Sequence, residues 1–177
     1  MFRIVSLVVV LLLVNPVRAD DPEKVKKGPP ANELLAEGLA KAKKDDKHVF
    51  LIFGSPTCGW CKYFDKYHTD AEVEKIVGKY FVLVKVDVVT NPGGEEMYQK
   101  YGTDRGVPAW TVLAPDMKVV TDSGDGKDNV GFPYEPKEVE HYIQSIQTAA
   151  PKMTGAEVEL LTKKLRDIGP KKEKKDR

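Results

Sequence analysis

Two kinds of apolar spacing alternate along the chain. "HVFLIF", residues 48–53, is a short continuous apolar run broken by Gly54-Ser55-Pro56-Thr57. Such a run predicts a strand buried on both faces. "YFVLVKVDV", residues 80–88, is rich in β-branched residues and predicts a second strand. "AWTVLA", 109–114, and "KVVT", 118–121, flank Pro115-Asp116-Met117 and predict an antiparallel hairpin, with Trp110 in the core. Helical spacing fills the intervals. Leu34, Leu35, Leu39 and Ala42 form one face of a helix that Asn32 can cap. A helical stretch runs from about Cys58 to Tyr67. Thr69 or Asp70 starts a short helix with Val73, Ile76 and Val77 inward and Gly78 at its end. Glu95–Tyr101 is a further short helix, stopped by Gly102. Pro136 suits the first turn of a helix whose apolar face is Val139, Tyr142, Ile143 and Ile146. Thr154 and Glu157 form a capping box for a last helix striped with Val158, Leu161, Leu165 and Ile168.

This order predicts an α/β fold, one sheet covered by helices on both faces, with one helix added at the C-terminal end. The last helix is expected to dock its stripe on its own core; a partner surface is the alternative. Residues 20–30 end in Gly28-Pro29-Pro30 and read as a linker. "TNPGG" is a turn, and "TDSGDGKDNVGFP", 121–133, is a long polar loop expected to be flexible. Its acidic spacing fails the calcium-loop template, because Gly124 stands where a ligand belongs. Residues 169–177, "GPKKEKKDR", carry no apolar residue beyond the proline and predict a disordered, basic, solvated tail.

The N-terminus sets the compartment. Arg3, an apolar run from Ile4 to Val14 and Val17-Arg18-Ala19 have the layout of a signal peptide cleaved after Ala19. The run is short of the roughly 20 residues of a spanning helix, and an uncleaved anchor is the alternative. Cleavage removes Arg3 and Arg18, leaving 26 basic against 27 acidic residues, a charge of −1. That balance gives no electrostatic case for nucleic acid. The boundaries are then 1–19 signal peptide, 20–30 linker, 31–150 main domain, 151–168 additional helix and 169–177 tail.

Within "SPTCGWCKYF" stand the chain's two cysteines, Cys58 and Cys61. A structural zinc site wants four ligands. This pair supplies two, and His48, His68 and His141 show no paired spacing. His48 opens a strand and reads as a surface or edge residue, His141 lies half-exposed on a helix, and His68 sits at a helix end that favours a cation. Heme attachment needs histidine after the second cysteine, where Lys62 stands. A purely structural disulfide fits an exported chain, yet so short a loop gains least from cross-linking. Dithiol exchange explains the spacing better. At a strand-to-helix junction the first sulfur meets unpaired N–H groups and the helix dipole, which favour a thiolate. The second, one turn on, can attack a mixed disulfide at Cys58 and release the product.

"FLIFGSPTCGWCK", then "VKVDVVTNPGGEEMYQKYGTDRGVPAW", then a hairpin and closing helix resemble the thioredoxin superfamily over about residues 46–148. The resemblance implies a thioredoxin fold with a central mixed sheet of about four to five strands. It implies a cis bond between Val107 and Pro108, lying against the cysteines, with the Val107 backbone pairing an extended substrate by strand addition. It assigns Cys58 as nucleophile and Cys61 as resolving thiol, with Gly59, Trp60, Val107 and Pro108 at the substrate. Trp60 has two readings, contact with substrate or a shield over the disulfide packed on Tyr63 or Phe64.

Gly59-Trp60 departs from the proline of thioredoxin itself, and Thr57 stands where a tryptophan is common. The buried acid of thioredoxin aligns with Ile52 and its lysine partner near Leu83, so that proton relay is expected to be absent. Asp65 and Lys62 are near in sequence and read as surface charges. The resemblance implies an exported, periplasmic or secreted, monomeric thiol–disulfide oxidoreductase with no cofactor beyond its own disulfide. Its partners would be protein thiols and disulfides and a membrane or soluble electron-transfer protein. The reducing direction is favoured, because no large helical insertion of the strong oxidases fits before Pro108. The alternative is a thioredoxin-fold binding module or chaperone whose disulfide is passive.

Overall fold

The computed structural model describes residues 27–170. The expected signal peptide, residues 20–26 of the linker and residues 171–177 of the tail lie outside the described residues. Six helices and four strands follow in the order α1 (Ala31–Asp45), β1 (His48–Gly54), α2 (Gly59–His68), α3 (Ala71–Tyr80), β2 (Phe81–Asp87), α4 (Gly94–Tyr101), β3 (Ala109–Leu113), β4 (Val119–Asp122), α5 (Pro136–Ala149) and α6 (Gly155–Ile168). The sheet order is β2-β1-β3-β4. β1 pairs parallel with β2 and antiparallel with β3, which pairs antiparallel with β4. This is the mixed, helix-covered sheet expected.

The apolar run of β1 is buried on both sides, as its composition requires. Phe50 and Ile52 face a core built with α2, α3, α5 and α6. Val49, Leu51 and Phe53 face a second core with α1 and α4. On that side Gly38 lets α1 lie directly on β2: a Cβ there would stand 2.2 Å from Val84 Cγ2. Trp110 is fully buried, stacked near Phe50 and edge-on to Tyr142.

Four local expectations are corrected. Asn32 does not cap α1; Pro30 takes that position. The reason is that the chain before it is docked on the turn after β2. Gly28 N–H donates to Thr90 O, Ala31 N–H to Pro92 O, and Asn91 Nδ2 to Pro29 O, all within 2.9 Å. Gly78 does not end α3, which continues to Tyr80 and passes straight into β2. Lys47 Nζ donates to the Gly78 carbonyl at 2.7 Å. The 121–133 loop is tied down. Ser123 N–H donates to Trp110 O, the Ser123 hydroxyl accepts from Trp110 N–H, and Val130 N–H returns to Ser123 O. Val130 and Phe132 are buried.

The fourth correction is His68, which is buried rather than cationic at a helix end. Its ring packs among Phe50, Phe64 and Tyr67, and neither ring nitrogen has a hydrogen-bond partner among the described residues. Burial, with a smaller push from the Lys85 charge, pulls its pKa down to about 3. The imidazole is therefore neutral in the native state at ordinary pH.

α6 docks on the domain through its apolar stripe. Leu161 and Leu165 are fully buried, with Val158 and Ile168 packed beside them. Charges fix the same interface. Lys164 Nζ lies 2.8 Å from Asp70, the N-cap of α3, and 2.6 Å from Glu72. Lys164 and the α3 amides hold the Asp70 carboxyl below its usual range. Glu157, half of the α6 capping box, also meets Lys79 and the Tyr80 hydroxyl. These partners lower its pKa to about 2, Lys79 most of all.

Two measurements check this packing. Leu161→Ala leaves a cavity where α6 meets α2 and should cost about 2–5 kcal/mol in urea unfolding. The depressed His68 pKa means that the unfolded chain binds a proton which the native state refuses. Stability should therefore be full above pH 6.5 and fall as pH drops toward 3. Between pH 7 and pH 5 the loss should be about 2 kcal/mol, and His68→Leu should flatten that slope.

Candidate active site at the Cys58–Cys61 disulfide

β1 ends at Gly54, a turn follows, and Cys58 becomes the N-cap of α2. Its sulfur accepts the Cys61 N–H at 3.0 Å, filling the place that a serine or aspartate oxygen takes in an ordinary cap. The first turn of α2 contains no acid. A negative charge on Cys58 would thus face backbone N–H groups and the positive end of the helix dipole, with nothing of like sign in that turn. Cys58 and Cys61 form a disulfide with their Cα atoms 5.2 Å apart. Cys58 is half-buried and Cys61 is 7% exposed. An incoming group therefore reaches Cys58 first.

The Val107–Pro108 peptide bond is cis. The Val107 carbonyl oxygen lies 3.4 Å from Cys58 Sγ, so the expected segment does stand against the cysteines. Three side chains or backbones beyond the expected residues hold it there. The Tyr98 hydroxyl accepts from Gly106 N–H at 2.9 Å and donates to Gly106 O at 3.1 Å. Asn129 Nδ2 donates to Gly106 O and Pro108 O, both at 2.9 Å. Gly131 lies flush on the proline, where a Cβ would be 2.4 Å from Pro108 O. Sequence reasoning missed all three. Tyr98 looks like any aromatic of a short helix, and Asn129 and Gly131 sit in a loop whose composition suggests only flexibility.

Trp60 satisfies parts of both of its readings. It is 46% exposed, yet it packs on Tyr63, lies nearly parallel to Phe132 at 6.1 Å and tilts against Tyr134. Phe64 packs edge-on against Phe132 from the core side. Trp60, Phe132 and Tyr134 form an aromatic wall of a groove of about 400 Å³ that Val107, Pro108 and Arg105 also line. Gly169, just after α6, backs the wall, its position within 3.4 Å of Tyr134 and Phe132 for an added Cβ. Gly59 is exposed and faces open space.

On the other side of the disulfide, Ile52 occupies the acid position and is 6% exposed. Lys85 is its register partner on β2. Lys85 Nζ lies 2.6 Å from Asp65 Oδ1 on α2. Asp65 and Lys62 are both exposed, as expected of surface charges, and Asp65 is paired with this strand lysine.

Several known proteins are similar. A disulphide isomerase from Xylella fastidiosa Temecula1 superposes with a TM-score of 0.50 at 24% identity, covering 87% of this chain and 98% of that one, a likeness of fold. Uncharacterized protein B0495.5 of Caenorhabditis elegans is 31% identical over 107 residues, 55% of this chain and 15% of the relative. Human spermatogenesis-associated protein 20 is 28% identical over 106 residues, 54% of this chain and 14% of the relative. The chain thus spans about one-seventh of the length of these curated relatives. Residues 32–154 match the family model Thioredox_DsbH, described as "Protein of unknown function, DUF255", and the chain belongs to that family.

Proposed function

We propose that the protein is an exported thiol–disulfide oxidoreductase that exchanges disulfides with protein cysteines, Cys58 attacking and Cys61 resolving. The observation that carries this reading is the asymmetry of the pair. One sulfur caps a helix at the surface beside Val107, and its partner is the more buried of the two. A bridge serving stability alone would gain little from so short a loop and has no need of an accessible sulfur at a helix N-terminus. The Trp60–Pro108 groove gives an extended polypeptide a place beside Cys58, with Val107 offering its backbone for strand addition. A solved structure of similar fold is that of a disulphide isomerase. The reducing direction is the one we favour. Between β2 and Pro108 stands one eight-residue helix, α4, in place of the large helical insertion of strong oxidases. A reductase of this kind draws electrons from a membrane or soluble partner and works as a monomer, both cysteines being used in one bridge.

Substituting each cysteine separates the roles. Cys61→Ala should accumulate a covalent adduct with a disulfide-containing protein through Cys58, and Cys58→Ala should form none; adducts are read by non-reducing mass spectrometry. Equilibration with glutathione and dithiothreitol then gives the direction. A potential near about −270 mV marks a reductase, and one near about −120 mV would reverse the direction. A reduced pair that fails to exchange with any disulfide would leave a thioredoxin-fold binding module.

A further inference from the structure

No acid stands at Ile52, as expected, but a carboxylate–lysine pair, Asp65 with Lys85, lines the same cavity as Cys61. An open cavity of about 280 Å³ lies on the side of the disulfide away from the Trp60 groove. Cys61, Asp65, Lys85 and Gly54 all line it. Gly54 supplies no side chain to cover the sulfur; even an added Cβ would sit 3.6 Å from Cys61 Sγ. Cys61 and Asp65 are four residues apart on α2 and so project along one helix face. Lys85 comes from β2, on the same sheet face as Ile52 and two residues beyond Leu83. Lys85 stands directly beside Ile52 in the register, and the carboxylate that meets it comes from α2.

We infer that Asp65, held by Lys85, is the proton acceptor for Cys61, reached through water in this cavity. This rests on the proposed exchange reaction. After Cys58 has attacked a substrate disulfide, one substrate thiolate has left and the other sulfur is bonded to Cys58. Cys61 must then lose its S–H proton to become nucleophilic. The proton passes by water to an Asp65 oxygen. The Cys61–Cys58 bond forms, the bond from Cys58 to the substrate sulfur breaks, and the second substrate thiolate leaves. The protein dithiol is oxidised by two electrons and the substrate disulfide is reduced by two. The two protons released by the dithiol end on the two substrate thiols by way of Asp65 and solvent.

The other charged groups around the cavity do not fill this place. Asp87 Oδ1 is tied to the Val89 and Thr90 N–H groups of its own turn. Lys62 and Lys85 are cations and stabilise a thiolate without accepting its proton. The cavity that Cys61 and Asp65 share is open and large enough to admit water. Asp65 keeps 59% of its side chain exposed, so it can pass the proton on to bulk water between turnovers.

Reaction of the reduced protein with dithionitrobenzoate in a stopped-flow instrument tests the assignment. The first release of thionitrobenzoate reports attack by Cys58, and the second reports attack by Cys61 on the mixed disulfide. Asp65→Asn should leave the first phase unchanged and slow the second tenfold or more at pH 6–7, at the modest end of general-base assistance. The deficit should close above about pH 9, where a thiol ionises unaided, and Asp65→Glu should restore most of the rate. A second phase of unchanged rate and pH profile in Asp65→Asn overturns the inference and leaves the exchange reading intact. A uniform slowing at every pH also overturns it, as a structural effect. Absence of both phases in the unsubstituted protein overturns the exchange reading and this inference with it.

Discussion

Everything at the site is referred to the end of β1. Five of its seven residues are buried, and it is the strand that carries both a parallel and an antiparallel neighbour. Such a strand has no freedom to slip, because a shift of one residue would exchange its two core faces. Gly54 is therefore a fixed point, and the turn after it puts Cys58 where α2 must begin. The helix start then supplies the amide that holds the sulfur. β2 and β3, registered on either side, bring Lys85 and Pro108 to the same end of the sheet. The chemistry at Cys58 is thus a consequence of burial several residues earlier.

Periodicity made the elements legible. The continuous apolar runs of β1 and β3 and the three-four spacing of α5 and α6 appear as read, because burial selects directly for those patterns. The cap at Cys58 was legible too, since a strand ending in Gly-Ser-Pro-Thr leaves the next helix little choice of start. What escaped was decided by partners far away in sequence. Asn32 yielded to Pro30 because the preceding residues dock on the turn at Thr90–Pro92. His68 looks like a favourable terminal cation until the aromatic residues of β1 and α2 close around it. Asn129 and Gly131 belong to a segment with polar composition, and their bonds to Gly106 and Pro108 leave no trace in local pattern.

The two sides of the disulfide are unlike. Toward Trp60 the surface is aromatic and carries Arg105, Glu135 and Glu138. Toward Asp65 an otherwise largely apolar lining carries Lys62, Asp65, Lys85 and Asp87. The first side suits contact with a chain, and the second suits traffic in protons. Keeping these apart means that a bound polypeptide does not have to cover the groups that serve Cys61.

Gly169, just after α6, lies behind the aromatic wall, and Phe132 joins that wall to Phe64 in the core. A surface stiffened from behind holds its contour when something is laid on it. The ordering cost of the recognition face is then met during folding instead of at each encounter. A protein built in this way would discriminate among unfolded or extended clients by how well they lie on a rigid ledge, rather than by moulding itself to each one.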